Sequence, residues 1–384
     1  MNTTLLIVAV IVIAAPVLVS LLIEAMRTEP DRPAALSWAP DLPVQYTLID
    51  GVRLRYVKTG DGPPLVLLHT LRTQLDIFQK LIPELAKTFM VYALDYPGHG
   101  WSDIPATDYT PAFFVDIVGK FLDEQRIGNA TLAGVSIGGT IPLLLAAHRH
   151  SAVARVVAIN SYDYAKGRGI TRANLVAWLI FTLARIPVLG ETVMRFRNPL
   201  VERKVLEGGV AEPDALPESF LRETYVVGCR RGHYRAFLNL IRNAYKWEDA
   251  RSEYGKISVP VLLVYGDQDW SRESERRATL ERIPGAKLEV VKNGGHFLSL
   301  DRPRGRCSKL LGATRSLQRH LAVERLRQDL VEIPLVARDK RAVRQGDPDW
   351  REFYIDLWRV YERSAEVEQL RPLARVLGAR DFPV

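Results

Sequence analysis

The sequence contains few cysteines, no internal repeat and no low-complexity stretch. These absences restrict the classes of protein to which the chain can belong. Cys229 and Cys307 are the only cysteines among 384 residues, which excludes a disulfide framework. Apolar residues make up 47% of the chain, a fraction sufficient to bury a core. We therefore expect a globular protein built as one large domain or two ordinary ones.

Most of the chain also lacks an excess of charge of either sign. The net charge is +8, and residues 302–345 hold 12 Lys or Arg against 4 Asp or Glu, which accounts for all of it. A nucleic-acid-binding fold would carry basic residues throughout, so we expect no nucleic-acid partner. The basic segment belongs to a C-terminal extension, residues 302–384, for which an anionic membrane surface is the preferred partner.

A third absence is that of charge near the N terminus. LLIVAVIVIAAPVLVSLLI, residues 5–23, has no charged residue and is long enough to cross a bilayer. A cleaved signal peptide is the alternative, but no Lys or Arg precedes the run and no small-residue cleavage site closely follows it. We predict a single-pass transmembrane anchor over residues 1–27. Arg27 and Arg32 follow the span, which favours a cytoplasmic catalytic domain.

The rest of the chain alternates predicted strands and helices. Residues 28–43 are predicted to be a linker, and VQYTLIDGVRLRYVKTG then predicts a hairpin turning at Asp50-Gly51. Six short apolar runs predict strands: PLVLLH, FMVYALD, ATLAGVS, VARVVAIN, VPVLLVYGD and AKLEVVKN. Helical segments separate them, and the first helix is predicted over residues 73–86. The alternation predicts an α/β fold with a mostly parallel sheet covered by helices on both faces.

One long segment interrupts the alternation. Residues 161–250 read as helical, with Pro and Gly breaks and no convincing strand. We interpret them as a cap inserted into a core made of residues 44–160 and 251–301. Such a cap would lie over the carboxyl ends of the strands, where sheets of this kind bind ligands.

Ser136 is the candidate nucleophile. It stands in Gly134-Val135-Ser136-Ile137-Gly138, at the end of a predicted strand and the start of a predicted helix. A sharp turn there needs small neighbours, because the backbone is strained and the helix passes close by. The alternative is a turn serine that caps the helix.

A serine nucleophile requires a base and an acid that follow it in the chain. His296 lies in NGGHFLSLDRP, the only histidine in a glycine-containing turn after the final predicted strand. VYGDQDW offers Asp267 and Asp269 after the preceding strand. We prefer Asp269 as the acid, since Asp267 fits a turn residue that bonds its own backbone.

Backbone N–H groups are the expected oxyanion donors. One belongs to Ile137, the residue after the nucleophile, and the other to the loop after the strand that ends at His69. We expect no metal or organic cofactor, because these groups suffice for acyl transfer.

The chain resembles the α/β-hydrolase fold superfamily, in its capped esterase, lipase and haloperoxidase-like branch. The resemblance covers about residues 44–303 and depends on GVSIGG, DYPGHGWSD, GDQD and GGHFLSLDRP. It implies that Leu71 is the second oxyanion donor, although His69-Thr70-Leu71-Arg72 lacks the family's usual glycine. A serine nucleophile argues against the haloalkane dehalogenase and epoxide hydrolase branches. Arg72 is open to more than one interpretation: a ligand for an acidic substrate group, a solvated surface arginine or a salt-bridged arginine.

Together these features predict a membrane-anchored serine hydrolase that cleaves small-molecule carboxylic esters through an acyl-enzyme. The very apolar cap segment NLVAWLIFTLARIPVL, residues 174–189, indicates either cap packing or a lipophilic substrate. Carbon–carbon bond hydrolysis and peracid formation use the same triad and stay as alternatives. A non-catalytic binding protein is disfavoured, because no triad member is missing.

Overall fold

The computed structural model describes residues 3–301, with side chains from residue 14 onward. The predicted C-terminal extension, residues 302–384, lies outside these described residues. The ten strands of the described chain are β1 (Ala35–Leu36), β2 (Ala39–Pro43), β3 (Gln45–Ile49), β4 (Val52–Thr59), β5 (Pro64–Leu68), β6 (Met90–Leu94), β7 (Ala130–Val135), β8 (Val153–Ile159), β9 (Val261–Gly266) and β10 (Lys287–Val291).

Helices connect and cover these strands. The α-helices of the described chain are α1 (Thr3–Ala25), α2 (Ile82–Leu85), α3 (Pro111–Glu124), α4 (Ile137–Ala147), α5 (Leu175–Leu183), α6 (Leu189–Arg195), α7 (Pro199–Glu207), α8 (Glu218–Gly228), α9 (His233–Arg242), α10 (Lys246–Asp249) and α11 (Glu273–Leu280). Short 3₁₀ segments lie at Leu75–Phe78, Ala165–Gly167, Gly169–Arg172, Pro213–Ala215 and Ala250–Lys256.

Eight strands form one sheet in the order β10-β9-β8-β7-β5-β6-β4-β3. The pairs from β10 to β6 are parallel, while β4 pairs antiparallel with both β6 and β3. The central strands β7 and β9 are buried at every residue, as expected where helices cover both faces. The predicted mostly parallel α/β sheet is confirmed, and its carboxyl ends share one edge.

The predicted hairpin also forms. β3 and β4 pair in register from Gln45 opposite Tyr56 to Ile49 opposite Val52. Asp50 and Gly51 turn with φ of 48° and 79°, the positive values that a tight two-residue hairpin turn requires. Before this hairpin, the segment predicted as a linker contains the small antiparallel pair β1–β2.

The helix predicted over residues 73–86 is not continuous. A 3₁₀ segment at Leu75–Phe78 and the four-residue α2 take its place. Pro83 lies within the predicted span and restricts α2 to starting just before it, because proline has no N–H to donate inside a longer helix. The Leu75 N–H donates instead to the Asp95 carboxylate at 2.8 Å.

The cap, residues 161–250, is described throughout and contains helices α5–α10 but no strand. Asparagine side chains begin two of its helices. Asn174 accepts from the Ala177 N–H at the start of α5, and Asn198 accepts from the Leu200 N–H at the start of α7. These bonds satisfy N–H groups that have no partner within a first helical turn.

The C-terminal end of α1 packs against the cap. Glu24 accepts from the Gly232 N–H at 2.7 Å, at the start of α9, and Arg27 donates to the carbonyls of Cys229 and Arg195. Among the residues whose side chains are described, which begin at Ala14, there is no helix with the length and apolar character needed to span a membrane. The described residues therefore do not support the transmembrane anchor predicted over residues 1–27.

Candidate active site

Ser136 occupies the tight turn between β7 and α4. Its backbone has φ of 63° and ψ of −122°, a conformation that costs a non-glycine residue energy and that persists only when its surroundings enforce it. The Ser136 N–H donates to the Ile159 carbonyl at 2.8 Å, which ties the turn to β8. A Cβ atom on Gly138 would lie 2.1 Å from the Leu68 carbonyl oxygen. The small residue is therefore a steric requirement of the turn.

Asp269 and His296 are joined by a hydrogen bond. The His296 Nδ1 lies 2.5 Å from the Asp269 Oδ1, and both side chains are fully buried. Ser271 donates to the other carboxylate oxygen through its N–H at 2.9 Å and through its hydroxyl. Burial alone would raise the pKa of Asp269, but attraction to His296 and these hydrogen bonds lower it below its ordinary value. Asp269 is therefore ionised at neutral pH.

Asp267 has a different environment. Its carboxylate accepts from the Gly294 N–H at 3.1 Å, and its own N–H donates to the Val291 carbonyl at 3.0 Å. These contacts hold the turn after β9 beside the loop after β10. Asp267 thus acts as a turn residue, and Asp269 is the carboxylate that reaches the imidazole.

Tyr162 lies between the nucleophile candidate and the base candidate. Its N–H donates to the Ser136 carbonyl at 3.2 Å, and its ring stands edge-on to the His296 imidazole, with centroids 6.2 Å apart. Both Ser136 Oγ and His296 Nε2 are buried and have no hydrogen-bond partner among the described residues. Buried polar atoms are normally paired, so these two atoms are suited to bonds made during a reaction.

The two predicted oxyanion donors are the backbone N–H groups of Ile137 and Leu71. Neither the Ile137 N–H nor the Leu71 N–H donates a hydrogen bond within the described chain. Ile137 is the first residue of α4, where a backbone N–H has no partner inside the helix. Both groups are thus available to bind negative charge that develops on a substrate oxygen.

His69 shapes the loop that carries Leu71. Its Nδ1 bonds the Thr70 carbonyl at 2.7 Å, and its Nε2 accepts from the Tyr96 N–H at 3.1 Å. This pattern corresponds to a neutral imidazole with the proton on Nδ1. Burial lowers the pKa of His69 well below its ordinary value, so the ring stays neutral.

Three buried charged residues beneath this loop were not identified from the sequence. Arg55 on β4 forms ion pairs with Asp76 and with Asp95, the latter at 2.6 Å between Nε and Oδ2. Asp95 also accepts from the Leu75 and Trp101 N–H groups. The cluster fixes the loops after β5 and β6. The only sequence signal was the aspartate of DYPGHGWSD, since Arg55 lies 40 residues away.

Asn160 is a second residue that sequence reasoning missed. Its side-chain N–H groups donate to the carbonyls of Gly295 and His296 at 3.0 and 2.8 Å, and its oxygen accepts from the Gly266 N–H at 2.9 Å. One buried amide thereby positions the loops of both the acid and the base. A polar residue ending the apolar run VARVVAIN was the available signal.

Trp270 covers the base. Its ring stacks on the His296 imidazole with centroids 3.7 Å apart and planes 12° apart, and its indole N–H donates to the Gly208 carbonyl at 2.7 Å. Two further bonds join the cap segment 208–211 to the core. The Phe297 N–H donates to the Gly209 carbonyl, and the Ala211 N–H donates to Asp301.

No group of three or more His, Cys, Asp or Glu side chains among the described residues is arranged to hold a metal ion. The site is instead a serine at a strained turn, a buried Asp–His pair and two free N–H groups, at the carboxyl edge of a parallel sheet. These parts are suited to nucleophilic attack on a carbonyl and stabilisation of the resulting oxyanion.

Comparison with known proteins agrees with this architecture. Residues 63–303 match the family model described as alpha/beta hydrolase fold, and the chain belongs to that family. It is 31% identical to a haloalkane dehalogenase of Mycobacterium marinum, over 65% of this chain and 84% of that protein. It is 26% identical to a pimeloyl-[acyl-carrier protein] methyl ester esterase of Nitrosomonas europaea, over 63% and 92% of the two chains.

A solved structure gives the same fold. The crystal structure of haloalkane dehalogenase DbeA from Bradyrhizobium elkani superimposes with a TM-score of 0.63, covering 72% of this chain and 99% of that chain at 22% identity. The family match and the relatives together show that the protein is a hydrolase of the α/β-hydrolase type.

Proposed function

We propose that the protein is a serine hydrolase that cleaves carboxylic esters through an acyl-enzyme. The observation that carries the proposal is the combination of an unpartnered, buried Ser136 hydroxyl at a strained turn with the buried Asp269–His296 pair. Each member then has a role matched to its position in the site.

In the proposed reaction the Ser136 Oγ attacks the ester carbonyl carbon while His296 Nε2 takes the hydroxyl proton. The N–H groups of Ile137 and Leu71 bind the oxyanion. The tetrahedral intermediate then expels the alcohol, which takes the proton from His296. Water attacks the acyl-enzyme by the same steps, and the carboxylic acid leaves. Asp269 holds the Nδ1 proton and stabilises the imidazolium without taking the proton itself.

The cap has an exposed apolar helix face, which agrees with either a lipophilic substrate or a membrane-facing surface. On α5, Leu175, Trp178 and Leu179 expose 78%, 50% and 47% of their surface, so the outer face of this helix is apolar. Exposed apolar surface of this extent marks a binding or membrane-facing region more often than a solvated one. The similarity to a methyl ester esterase agrees with an ester as the reacting group.

Dehalogenation is disfavoured on chemical grounds, despite the similarity to haloalkane dehalogenases. Attack of the Ser136 oxygen on an alkyl halide would displace halide and leave an ether, which water does not hydrolyse at this site. A serine nucleophile turns over only where the intermediate is an ester. Carbon–carbon bond hydrolysis and peracid formation also pass through an acyl-serine and are distinguished from ester hydrolysis by substrate.

Labelling with a fluorophosphonate probe tests the nucleophile. The wild-type protein should be labelled and should hydrolyse p-nitrophenyl esters, with the highest kcat/KM at medium or long acyl chains. Ser136→Ala should lose both properties, with turnover reduced about 10⁶-fold. Labelling that persists in a folded Ser136→Ala protein would assign the nucleophile to another residue.

Ser136→Gly provides a matched variant. Both variants lack the hydroxyl, but glycine adopts positive φ without strain. Ser136→Gly should therefore be inactive and more stable than Ser136→Ala by about 1 kcal/mol, measured by thermal unfolding. The comparison separates loss of chemistry from loss of fold.

We also propose that α1 attaches the protein to a membrane, with the catalytic domain on the cytoplasmic side. Leu18 and Leu22 expose 64% and 60% of their surface and lie four residues apart on α1, so they share one helix face. Met26, directly after the helix, exposes 73%. Full-length protein should stay with membranes through high-salt and alkaline carbonate washes. A mature protein whose sequenced N terminus begins after residue 23 would contradict this proposal.

A further inference from the structure

Next to the loop that carries Leu71, two arginines lie near a single carboxylate, and only one of them pairs with it. Arg72 follows the proposed oxyanion donor Leu71 directly and has φ of 57°. Its guanidinium extends toward the cap, where it lies 3.3 Å from the Glu202 carboxylate of α7 and 5.0 Å from the Phe237 ring centroid of α9. The second cation, Arg197, stands in the turn between α6 and α7.

Arg197 has no ion-pair partner among the described residues. Its Nη2 donates to His233 Nδ1 at 3.0 Å, while its Nη1 is buried without a hydrogen-bond partner. Burial lowers the pKa of Arg197 to about 9, with a further contribution from the charge of Arg72, so the group is charged at neutral pH. Burial and the charge of Arg197 lower the pKa of His233 well below its ordinary value, and His233 is neutral.

The charged groups around Arg72 and Arg197 sum to one net positive charge. Glu202 balances Arg72, and its second carboxylate oxygen is buried without a hydrogen-bond partner. Arg27 also approaches, but it pairs with Glu24 at 3.0 Å and donates to two carbonyls. A partly buried cation without a counter-charge is costly to the folded protein, and departures of this kind from the usual rules recur at functional sites.

We propose that Arg72 and Arg197 form a subsite for a carboxylate carried by the substrate. This inference depends on the proposed ester hydrolysis and names its substrate class, esters whose acyl chain ends in a carboxylate. Arg72 directly follows Leu71, and consecutive Cα atoms are about 3.8 Å apart. The proposed subsite therefore starts next to the proposed oxyanion hole. A single net positive charge matches a monoanion, and planar guanidinium groups bind carboxylates in two-point fashion.

A substrate pair tests the subsite. Mono-p-nitrophenyl esters of succinic to suberic acid are compared with the same esters whose distal carboxyl is methylated. The wild-type kcat/KM should favour the anionic ester at least tenfold at one chain length. Arg197→Gln should lower that preference about 10- to 100-fold, the scale of hydrogen bonds to charged groups. Arg203→Gln is the control, because Arg203 lies on α7 and pairs with Glu218 at the surface.

Thermal unfolding supplies a readout that does not require turnover. Hexanoate should raise the Tm of the wild-type protein and not that of Arg197→Gln. Without ligand, Arg197→Gln should unfold at the wild-type temperature or above it, since the variant removes an unbalanced buried charge. A Tm several degrees lower would make Arg197 structural and overturn the proposal. Stabilisation by dimethyl phosphate but not by hexanoate would overturn the carboxylate assignment.

The two proposals fail in different ways. If ester hydrolysis is wrong, neither ester is cleaved and Ser136 is not labelled, while the Tm comparison still reports on anion binding. If only the subsite is wrong, both esters are cleaved with equal kcat/KM and Arg197→Gln leaves their ratio unchanged.

Discussion

The Trp270 indole lies flat on the His296 imidazole, with ring centroids 3.7 Å apart. During the proposed reaction this imidazole becomes a cation each time it takes the Ser136 proton. An indole face attracts a cation held against it. In that reaction Trp270, which follows the proposed acid in sequence, would hold the plane of the proposed base and stabilise its charged form.

The first prediction concerns this stack. Trp270→Leu should lower kcat for p-nitrophenyl butyrate about 2- to 30-fold, because a cation–aromatic contact contributes about 0.5–2 kcal/mol. Trp270→Phe should lose less, since it keeps an aromatic face. Tyr245→Leu is the control for loss of an aromatic side chain, because Tyr245 is exposed and lies outside α5. A wild-type kcat in Trp270→Leu would contradict a role for the stack.

The second prediction separates the two aspartates. Asp269→Asn should reduce kcat by about 10⁴, the scale for a triad whose histidine loses its orienting carboxylate. Asp267→Asn should reduce it only a few-fold, because Asp267 bonds the Gly294 N–H rather than the imidazole. Steady-state kinetics on both variants decide the matter. The reverse order of severity would mean that the His296–Asp269 bond is not the catalytic one.

The third prediction concerns the turn that holds Ser136. Gly138→Ala would place a methyl group about 2.1 Å from the Leu68 carbonyl oxygen and 2.4 Å from that of His69. Neither backbone oxygen can move freely, so the variant should lose at least about 3 kcal/mol of stability and its activity. Gly128→Ala is the control, since nothing lies within 4 Å of its added Cβ. Urea unfolding measures the stability of both variants, and equal stabilities would refute the steric requirement at Gly138.

The fourth prediction is a pH dependence of stability. Asp163 is buried and accepts from the Tyr254 and Thr279 hydroxyls at 3.0 and 3.1 Å. Burial raises its pKa to about 6 from 3.8, although Arg251 opposes the rise. The folded state therefore binds this proton more tightly than the unfolded state. The ionised carboxylate lowers stability above about pH 6, and the loss is recovered as the pH falls toward 4.

Asp163→Asn removes this titration. We compare the free energy of unfolding of the variant with that of the wild type. The advantage of the variant should be roughly 1–2 kcal/mol larger at pH 8 than at pH 5. Urea unfolding at the two pH values measures the difference, with Asp41→Asn as the exposed control. A gain that is the same at both pH values would show that the Asp163 carboxylate does not titrate between them.

The sequence predicted those parts of the molecule that short segments determine. Ser136, the hairpin at Asp50-Gly51 and the strands of the parallel sheet could be identified because turn glycines and apolar runs carry local information. His296 and Asp269 were assigned from their order along the chain. The structure joins them at 2.5 Å, while their catalytic roles remain predictions.

Contacts between distant segments could not be predicted in this way. The path of the loop after β5 depends on such a contact, because the Asp95 carboxylate, directly after β6, accepts from the Leu75 N–H. Asn160 bridges two loops more than 100 residues away. Arg72 reaches Glu202 only because the cap folds over the loop that carries Leu71.

The bonds from segment 208–211 to the core restrict how substrate reaches Ser136. Gly208 bonds the Trp270 indole and Gly209 bonds the Phe297 N–H, so a cap that opened as one rigid body would pull on both loops of the acid and the base. Displacement of α5–α7 about residues 208–211 would leave both bonds intact, so the Asp269–His296 pair would stay assembled whether this part of the cap is open or closed. Motion of this kind would control access and product release rather than the chemistry itself.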